Sequence, residues 1–523
     1  MTIKEKIGQL FSPAAFIHDT EENIQSLERL INEHKIGGLT FFHSRHSAAA
    51  NFEQRQEKLS YENTLEKLVE LINRYQLVSK IPLLISIDAE YGLAMRVENT
   101  PQYPYAISLG NMDKEAKELI YDTGKRMAKD LKASGIHLNF APVADINTNP
   151  NNPVIGYRSF GNRTEKVSEF AWQMYKGHTD QGVGACYKHF PGHGDTDVDS
   201  HLGLPILYKN REALEKEELL PFLKGIEEGI DMIMVGHLAI PELTDGKEIP
   251  ASISKAIITD LLKKEMGYEG LVVSDALNMR SVADLFTEPG QLELEAFLAG
   301  NDLLCFSENI PEAISLISEK APEEKIDESF RKIMKWKEKY GVLEAKKVTV
   351  PSFDWGNHAE FLKKTAPKYL SELLAIPSGF DFKNCLKISL HENGENHFFQ
   401  QLEEHCHGET FQLKDFDLEN PRFKNAEWVL SALFVPSAKP INHFGLDKAL
   451  MEKLVNLSQQ KNTCLYVFGN HLALREFSDL SDFKGIICAG QQFEEVQKTA
   501  ALHLLGKVKA EGSGDISTSV NFG

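Results

Sequence analysis

A TIM (β/α)8 barrel followed by a smaller three-layer α/β sandwich is the α/β architecture this sequence predicts, and three observations predict it. At 523 residues the chain exceeds what one hydrophobic core serves, so two domains are expected. Up to about residue 345, short apolar β-like runs alternate with longer amphipathic segments, the pattern of βα units around a parallel sheet. These runs number eight, the strand count of the barrel.

In order they are IGQLFSPAAF from Ile7, IGGLTFF from Ile36, PLLISID from Pro82 and IHLNFAPVADI from Ile136, then GVGACYKHF from Gly182, DMIMVGH from Asp231, GLVVSDAL from Gly270 and NDLLCF from Asn301. Helix candidates lie between them. KEAKELIYDTGKRMAKDLKASG repeats its apolar residues at three and four and stops at Gly135. The run ESFRKIMKWKEKYGVLEAKK closes the barrel domain at 345, and VTVPSFDWGNH, with Pro351 and Gly356, reads as a linker over 346–366. From 367 to 523 the alternation resumes as CLKISL, WVLSALFV, CLYVFG and GIICAG, enough for the sandwich. Neither GxGxxG nor GxxxxGK[ST] occurs, so nucleotide binding has no support.

Composition narrows the function. A hydrophobic share of 42% and a charged share of 25% are those of a folded globular protein. The formal charge of −19, with no Lys/Arg block, disfavours a nucleic-acid partner. No apolar run is long enough for a membrane span and the start lacks a secretory pattern, so a cytoplasmic protein without membrane partners is expected, as a monomer or homodimer. Six cysteines without a CxxC pair read as free buried thiols, and His405-Cys406-His407 as incidental. No metal and no cofactor is expected.

Barrel chemistry sits at the C-terminal strand ends. Asp88 ends the third run, Asp145 the fourth, Lys188 and His189 the fifth, His237 the sixth and Asp275 the seventh. Following the fifth run, KHFPGHGDTDVDSH packs three His, three Asp and a Lys among turn formers, a costly loop unless it is used. Asp199 and His201, two apart in an extended loop, share a face. Such a carboxylate fixes the imidazole tautomer and stabilises its protonated form.

KHFPGHGDT followed by DSH resembles the signature of glycoside hydrolase family 3 β-N-acetylglucosaminidases. The resemblance covers the barrel and, more weakly, the second domain, whose LHLLGKVKAEGSGDIS resembles the family's closing segment. IDAEYGLAMR resembles IDxEGGxxxR, which implies that Asp88 and Arg96 bind sugar hydroxyls. NPVIGYRSFG resembles the family's NPVIGxRSFG, which implies that Arg158 reaches the same ring, and Lys188 with His189 resembles the substrate-binding pair. VVSDALNM resembles the nucleophile strand and makes Asp275 the catalytic carboxylate, while MVGHLAIP gives His237 a supporting role. The carbohydrate substrate implied is a terminal β-linked N-acetylglucosaminide from peptidoglycan fragments or related oligosaccharides.

Retaining glycosidases use one group as nucleophile and another as acid/base. The resemblance gives the second role to His201, oriented by Asp199, and the imidazole's ordinary pKa suits it. With no second carboxylate at the anomeric carbon, inorganic phosphate is an alternative acceptor. Tyr91 stands where the family usually has Gly and Leu93 where it often has Arg, leaving a β-glucosidase of the same family as an alternative. Two further alternatives are a metal-dependent TIM-barrel amidohydrolase using His189, His193, Asp195, Asp199 and His201, and an inactive sugar-binding protein. No HxH stands on the first strand and no lysine is obviously placed to bridge two metals, and the catalytic residues are intact.

Overall fold

The structure, a computed structural model, describes residues 1–45, 61–197, 203–344, 346–392 and 394–513. Two compact units emerge: Met1–Tyr103, Glu118–Asn149 and Asn162–Phe353 form the first, and Pro104–Lys117, Pro150–Gly161 and the chain from Asp354 onward form the second.

All eight expected runs become strands of the first unit. β1 is Phe11–Ser12 continued by Ala14–His18, divided at Pro13, which has no N–H to give to a ladder. β2 is Gly38–Ser44, β3 Leu84–Ile87 and β4 Leu138–Asn139. β5 is Gly184–Ala185 continued by Tyr187–Phe190, β6 Met232–Val235, β7 Leu271–Ser274 and β8 Leu304–Cys305. Each pairs in parallel with its neighbour from β1 to β7. A parallel bridge, Val273 to Leu303, then leads into β8, and β8 pairs with β1 through Phe11–Leu304 and Ser12–Cys305. The sheet is closed, the TIM barrel that the repeat count predicts.

Strand alternation sorts the barrel's side chains. On β2, Leu39 and Phe41 are buried on the outer side, where Phe41 meets Tyr75 of the helix Thr64–Val78 at 6.3 Å between rings. That helix buries Leu68, Leu71, Ile72 and Tyr75, one apolar face at three- and four-residue spacing. Thr40 faces inward, its hydroxyl 2.9 Å from those of both Ser12 and Ser86, so small polar groups satisfy one another inside the barrel.

The second unit is a six-stranded sheet. Its strands are β9 Ser371–Leu374, β10 Cys385–Leu390, β11 Thr410–Gln412, β12 Trp428–Phe434, β13 Asn462–Phe468 and β14 Gly485–Cys488. They lie in the order β9-β14-β13-β12-β10-β11, with β9 antiparallel and the rest parallel. Ile388, Val429, Leu433, Leu465 and Ile486 pack with Met451, Leu454 and Leu457 of the helix Lys448–Gln460. Tyr466 and Phe468, alternate residues pointing to the other face, meet Phe398 of the helix His397–Gln401 at 4.7 and 5.4 Å. Helices therefore cover both faces, as expected of the sandwich.

Two boundaries differ from the sequence reading. Helix Trp355–Tyr369 begins inside the stretch expected as linker, started by Asp354, whose carboxylate accepts from Asn357 N at 3.0 Å. Two excursions from within the barrel sequence join the second unit as well, one of them tied there by Ser108, whose hydroxyl donates to Gly490 O at 3.0 Å.

Candidate active site

The C-terminal ends of β3 to β7 carry a cluster of charges built around two carboxylates, Asp275 and Asp145. Asp275 directly follows β7. Its N–H donates to Val235 O at the end of β6 (2.9 Å), and one carboxylate oxygen accepts from Ala276 N (2.8 Å). The side chain keeps partial solvent access. Burial pushes its carboxyl up, but the His237 and His189 imidazoles, the Ala276 N–H and the Lys188 ammonium outweigh that and hold it down at about 2. At neutral pH it is a carboxylate facing cationic or polarised groups from β5 and β6.

His237, two residues beyond β6, is fully buried. Its Nε2–H donates to Ala276 O at 2.8 Å, and Nδ1 lies 2.6 Å from Ser252 Oγ. It fixes the peptide next to Asp275, the supporting place expected of it.

Lys188 lies inside β5, with its side chain 2% exposed. Its Nζ is 2.7 Å from Asp88 Oδ1 and 2.7 Å from Glu90 Oε1. The second oxygen of Asp88 is 3.6 Å from Arg96, whose guanidinium lies 3.9 Å above the ring of Phe42. Asp88 and Arg96, singled out from one motif, and Lys188, from another, thus form one chain of charge with Glu90, which sequence reasoning passed over. The signal was present in IDAEYG, two residues beyond Asp88 and on the same side of an extended segment.

His189 is oriented by the other carboxylate, Asp145, which is buried. Nδ1–H of His189 donates to Asp145 Oδ2 at 2.7 Å, and the His189 and His193 backbone N–H groups donate to the same carboxylate at 3.1 and 2.8 Å. Burial pushes the Asp145 carboxyl up, yet His189 and these donors bring it below its ordinary value. Such a carboxylate fixes the His189 tautomer. The loop after β5 can lie this close only because of Gly194: a Cβ there would stand 1.7 Å from Ile146 O.

His193 is packed, with Nδ1 at 2.7 Å from Thr196 Oγ1, and burial followed by His189 pushes it down to about 4, so it is neutral at neutral pH. Asp195 pairs with Lys209 at 2.8 Å, and Lys209 also reaches Glu217 (2.8 Å) and Glu218 (2.5 Å). Among the described residues, His189, His193 and Asp195 do not bring three ligand atoms close enough to share an ion. Asp199 and His201 lie outside the described residues. Arg158 belongs to the second unit, on the turn Gly156–Arg158, where its guanidinium donates to Val154 O at 3.4 Å.

A closed barrel whose mouth sets an ionised carboxylate at the end of β7 against a buried lysine–carboxylate network fits the glycosidase class of enzymes. The family is fixed by comparison: residues 2–336 match the glycosyl hydrolase family 3 N-terminal domain, and the chain belongs to that family. It is 36% identical over 290 residues to β-hexosaminidase A of Pseudoalteromonas piscicida, covering 53% of this chain and 46% of that protein, so the chain spans just under half of that relative. With a β-hexosaminidase of Neisseria meningitidis it shares 32% over 278 residues, covering 52% of this chain and 70% of the relative. A family 3 β-N-acetylglucosaminidase structure from Paenibacillus sp. str. FPU-7 is similar over 98% of both chains, at 26% identity and a TM-score of 0.77. A β-glucoside phosphorylase, at 18% identity and a TM-score of 0.80 over 100% of this chain and 94% of its own, shares the fold. No helix among the described residues is long and apolar enough to cross a membrane.

Proposed function

We propose that this protein is a retaining β-N-acetylhexosaminidase that removes terminal β-linked N-acetylglucosamine, from peptidoglycan fragments or related oligosaccharides. The observation that carries the reading is Asp275, held ionised at the barrel mouth by surrounding polar and cationic groups. The names of the β-hexosaminidase relatives and of the Paenibacillus structure support the choice of sugar.

In the reaction, a carboxylate oxygen of Asp275 attacks C1 while protonated His201 gives its proton to the leaving glycosidic oxygen. The aglycone departs and a glycosyl ester forms on Asp275 with inversion. Neutral His201 then takes a proton from water, whose oxygen attacks C1. The ester breaks with a second inversion, so configuration is retained and both groups return to their starting states. Asp199 acts on His201 as a positioning and charge-stabilising partner. Asp88, Arg96 and Lys188 bind the sugar hydroxyls, with His189 set by Asp145.

Nitrophenol release from the β-N-acetylglucosaminide and from the β-glucoside tests the reading. Turnover of the first, abolished in Asp275→Ala and with kcat retained after chelation, is the expected result. Preference for the glucoside overturns the specificity, and turnover that survives Asp275→Ala while chelation abolishes it points to a metal-dependent hydrolase.

A further inference from the structure

One group of side chains among the described residues has the composition and spacing of a metal site: His18, His43 and Glu98. His18 ends β1, His43 lies near the end of β2, and Glu98 follows β3 just after the turn Leu93–Met95. One ligand atom from each lies within 4.8 Å of the others. His43 Nε2 is 2.8 Å from Glu98 Oε1, and the Tyr61 N–H donates to the same oxygen at 3.1 Å. The other oxygen, Oε2, is buried, with the Thr64 side chain also acting on the carboxylate. His18 Nε2 is 3.1 Å from Thr64 Oγ1, and its ring stacks on Tyr61 with centroids 4.0 Å apart.

An ion pair between His43 and Glu98 accounts for one contact of this group. His18 adds a third potential ligand atom to that pair, and the carboxylate's second oxygen is buried. Two imidazoles and a carboxylate are a zinc donor set, with a fourth position left for water. Ligands about 2.1 Å from zinc stand roughly 3.3 Å from one another, so the group has at most about 1.5 Å to close, within the reach of side-chain rotation. The surroundings are those of a supported site: Tyr61 and Thr64 hydrogen-bond the carboxylate and an imidazole, and the Tyr61 ring covers one side.

We propose that His18, His43 and Glu98 bind one Zn2+ ion, which ties the ends of β1 and β2 to the segment after β3. Arg96 lies two residues before Glu98 and stacks on Phe42, the neighbour of His43, so the ion would brace the arm that holds Asp88. The role is structural and does not depend on the glycosidase reading. The absence of metal expected from the sequence is revised by this site, whose ligands come from three separate segments and leave no local spacing motif.

Chelator-treated, metal-free full-length protein titrated with ZnCl2 by calorimetry tests the proposal, with thermal unfolding followed in parallel. One equivalent is expected to bind with a micromolar or lower Kd and to raise Tm, and His43→Ala and Glu98→Gln should weaken that binding at least 100-fold. In wild-type protein, zinc should also slow carbethoxylation of His18, read by peptide mass spectrometry, a measurement independent of whether the variants fold. Wild-type protein that takes up no zinc, variants that bind it undiminished, or an unchanged His18 modification rate would each overturn the site.

Discussion

The two ends of the barrel use the same kinds of buried polar groups to opposite effect. At the N-terminal end, Asp231 precedes β6 and accepts from Tyr175 OH (2.6 Å), Tyr340 OH (2.7 Å) and Lys339 Nζ (2.7 Å). Lys337, on the helix Glu323–Lys339, is fully buried and donates to Gln9 Oε1 at 2.8 Å and Pro82 O at 2.9 Å. There the charges and dipoles are spent on joining helices to strands. At the C-terminal end, Lys188, His189 and His237 all act on Asp275, which stays partly open to solvent. The contrast teaches that burial of a charge does not mark an active site; convergence on an accessible group does.

Breaking the top should abolish chemistry and spare the fold. Asp275→Ala is expected to lower kcat by roughly 10⁴-fold with Tm unchanged, measured by nitrophenol release and calorimetry. Lys188→Met comes next, because it strips the shared cation from Asp88 and Glu90; a fall of about 10² to 10³ in kcat/KM is expected in steady-state assays. Breaking the bottom should do the reverse. Asp231→Ala removes the acceptor of three donors, and a loss of about 2–4 kcal/mol in urea unfolding is expected with kcat intact.

The smallest effect sharpens the comparison through pH. Burial pushes the Lys337 ammonium down from 10.5 to about 7, so the folded state binds that proton less firmly than the unfolded chain does. The penalty is fully present below pH 7 and is relieved as pH rises toward 10.5, so stability should climb over that window. Lys337→Met should flatten the climb, by up to a few kcal/mol at its ends, without altering kcat. An unchanged slope in urea unfolding at pH 7 to 10 would show that Lys337 is not the group responsible.

How much of this was legible in the sequence follows from which signals are local. All eight barrel strands could be read because each is an apolar run bounded by turns, and the strand ends placed Asp88, Lys188, His189, His237 and Asp275 at one face. Partnership was not legible. Asp145 could be placed at the end of the fourth run, but its hold on His189 and His193 comes from the loop after β5 folding back over Gly194. Glu90 was missed because its lysine stands on another strand. Ser371–Leu374 and Thr410–Gln412 are the two edge strands of the second sheet, partly exposed and without the continuous apolar run that marks its inner strands. The excursions of the second unit, Pro104–Lys117 and Pro150–Gly161, carry no compositional break from the barrel sequence around them, so only contacts reveal where they belong.

The central claim is that Asp275 forms a covalent ester with the sugar. Rapid quenching of the protein during turnover of a slow N-acetylglucosaminide, followed by peptide mass spectrometry, tests it most directly. An N-acetylhexosyl adduct on the peptide carrying Asp275, absent in Asp275→Ala, is the predicted result. Turnover with no adduct, or an adduct on another residue, would contradict it.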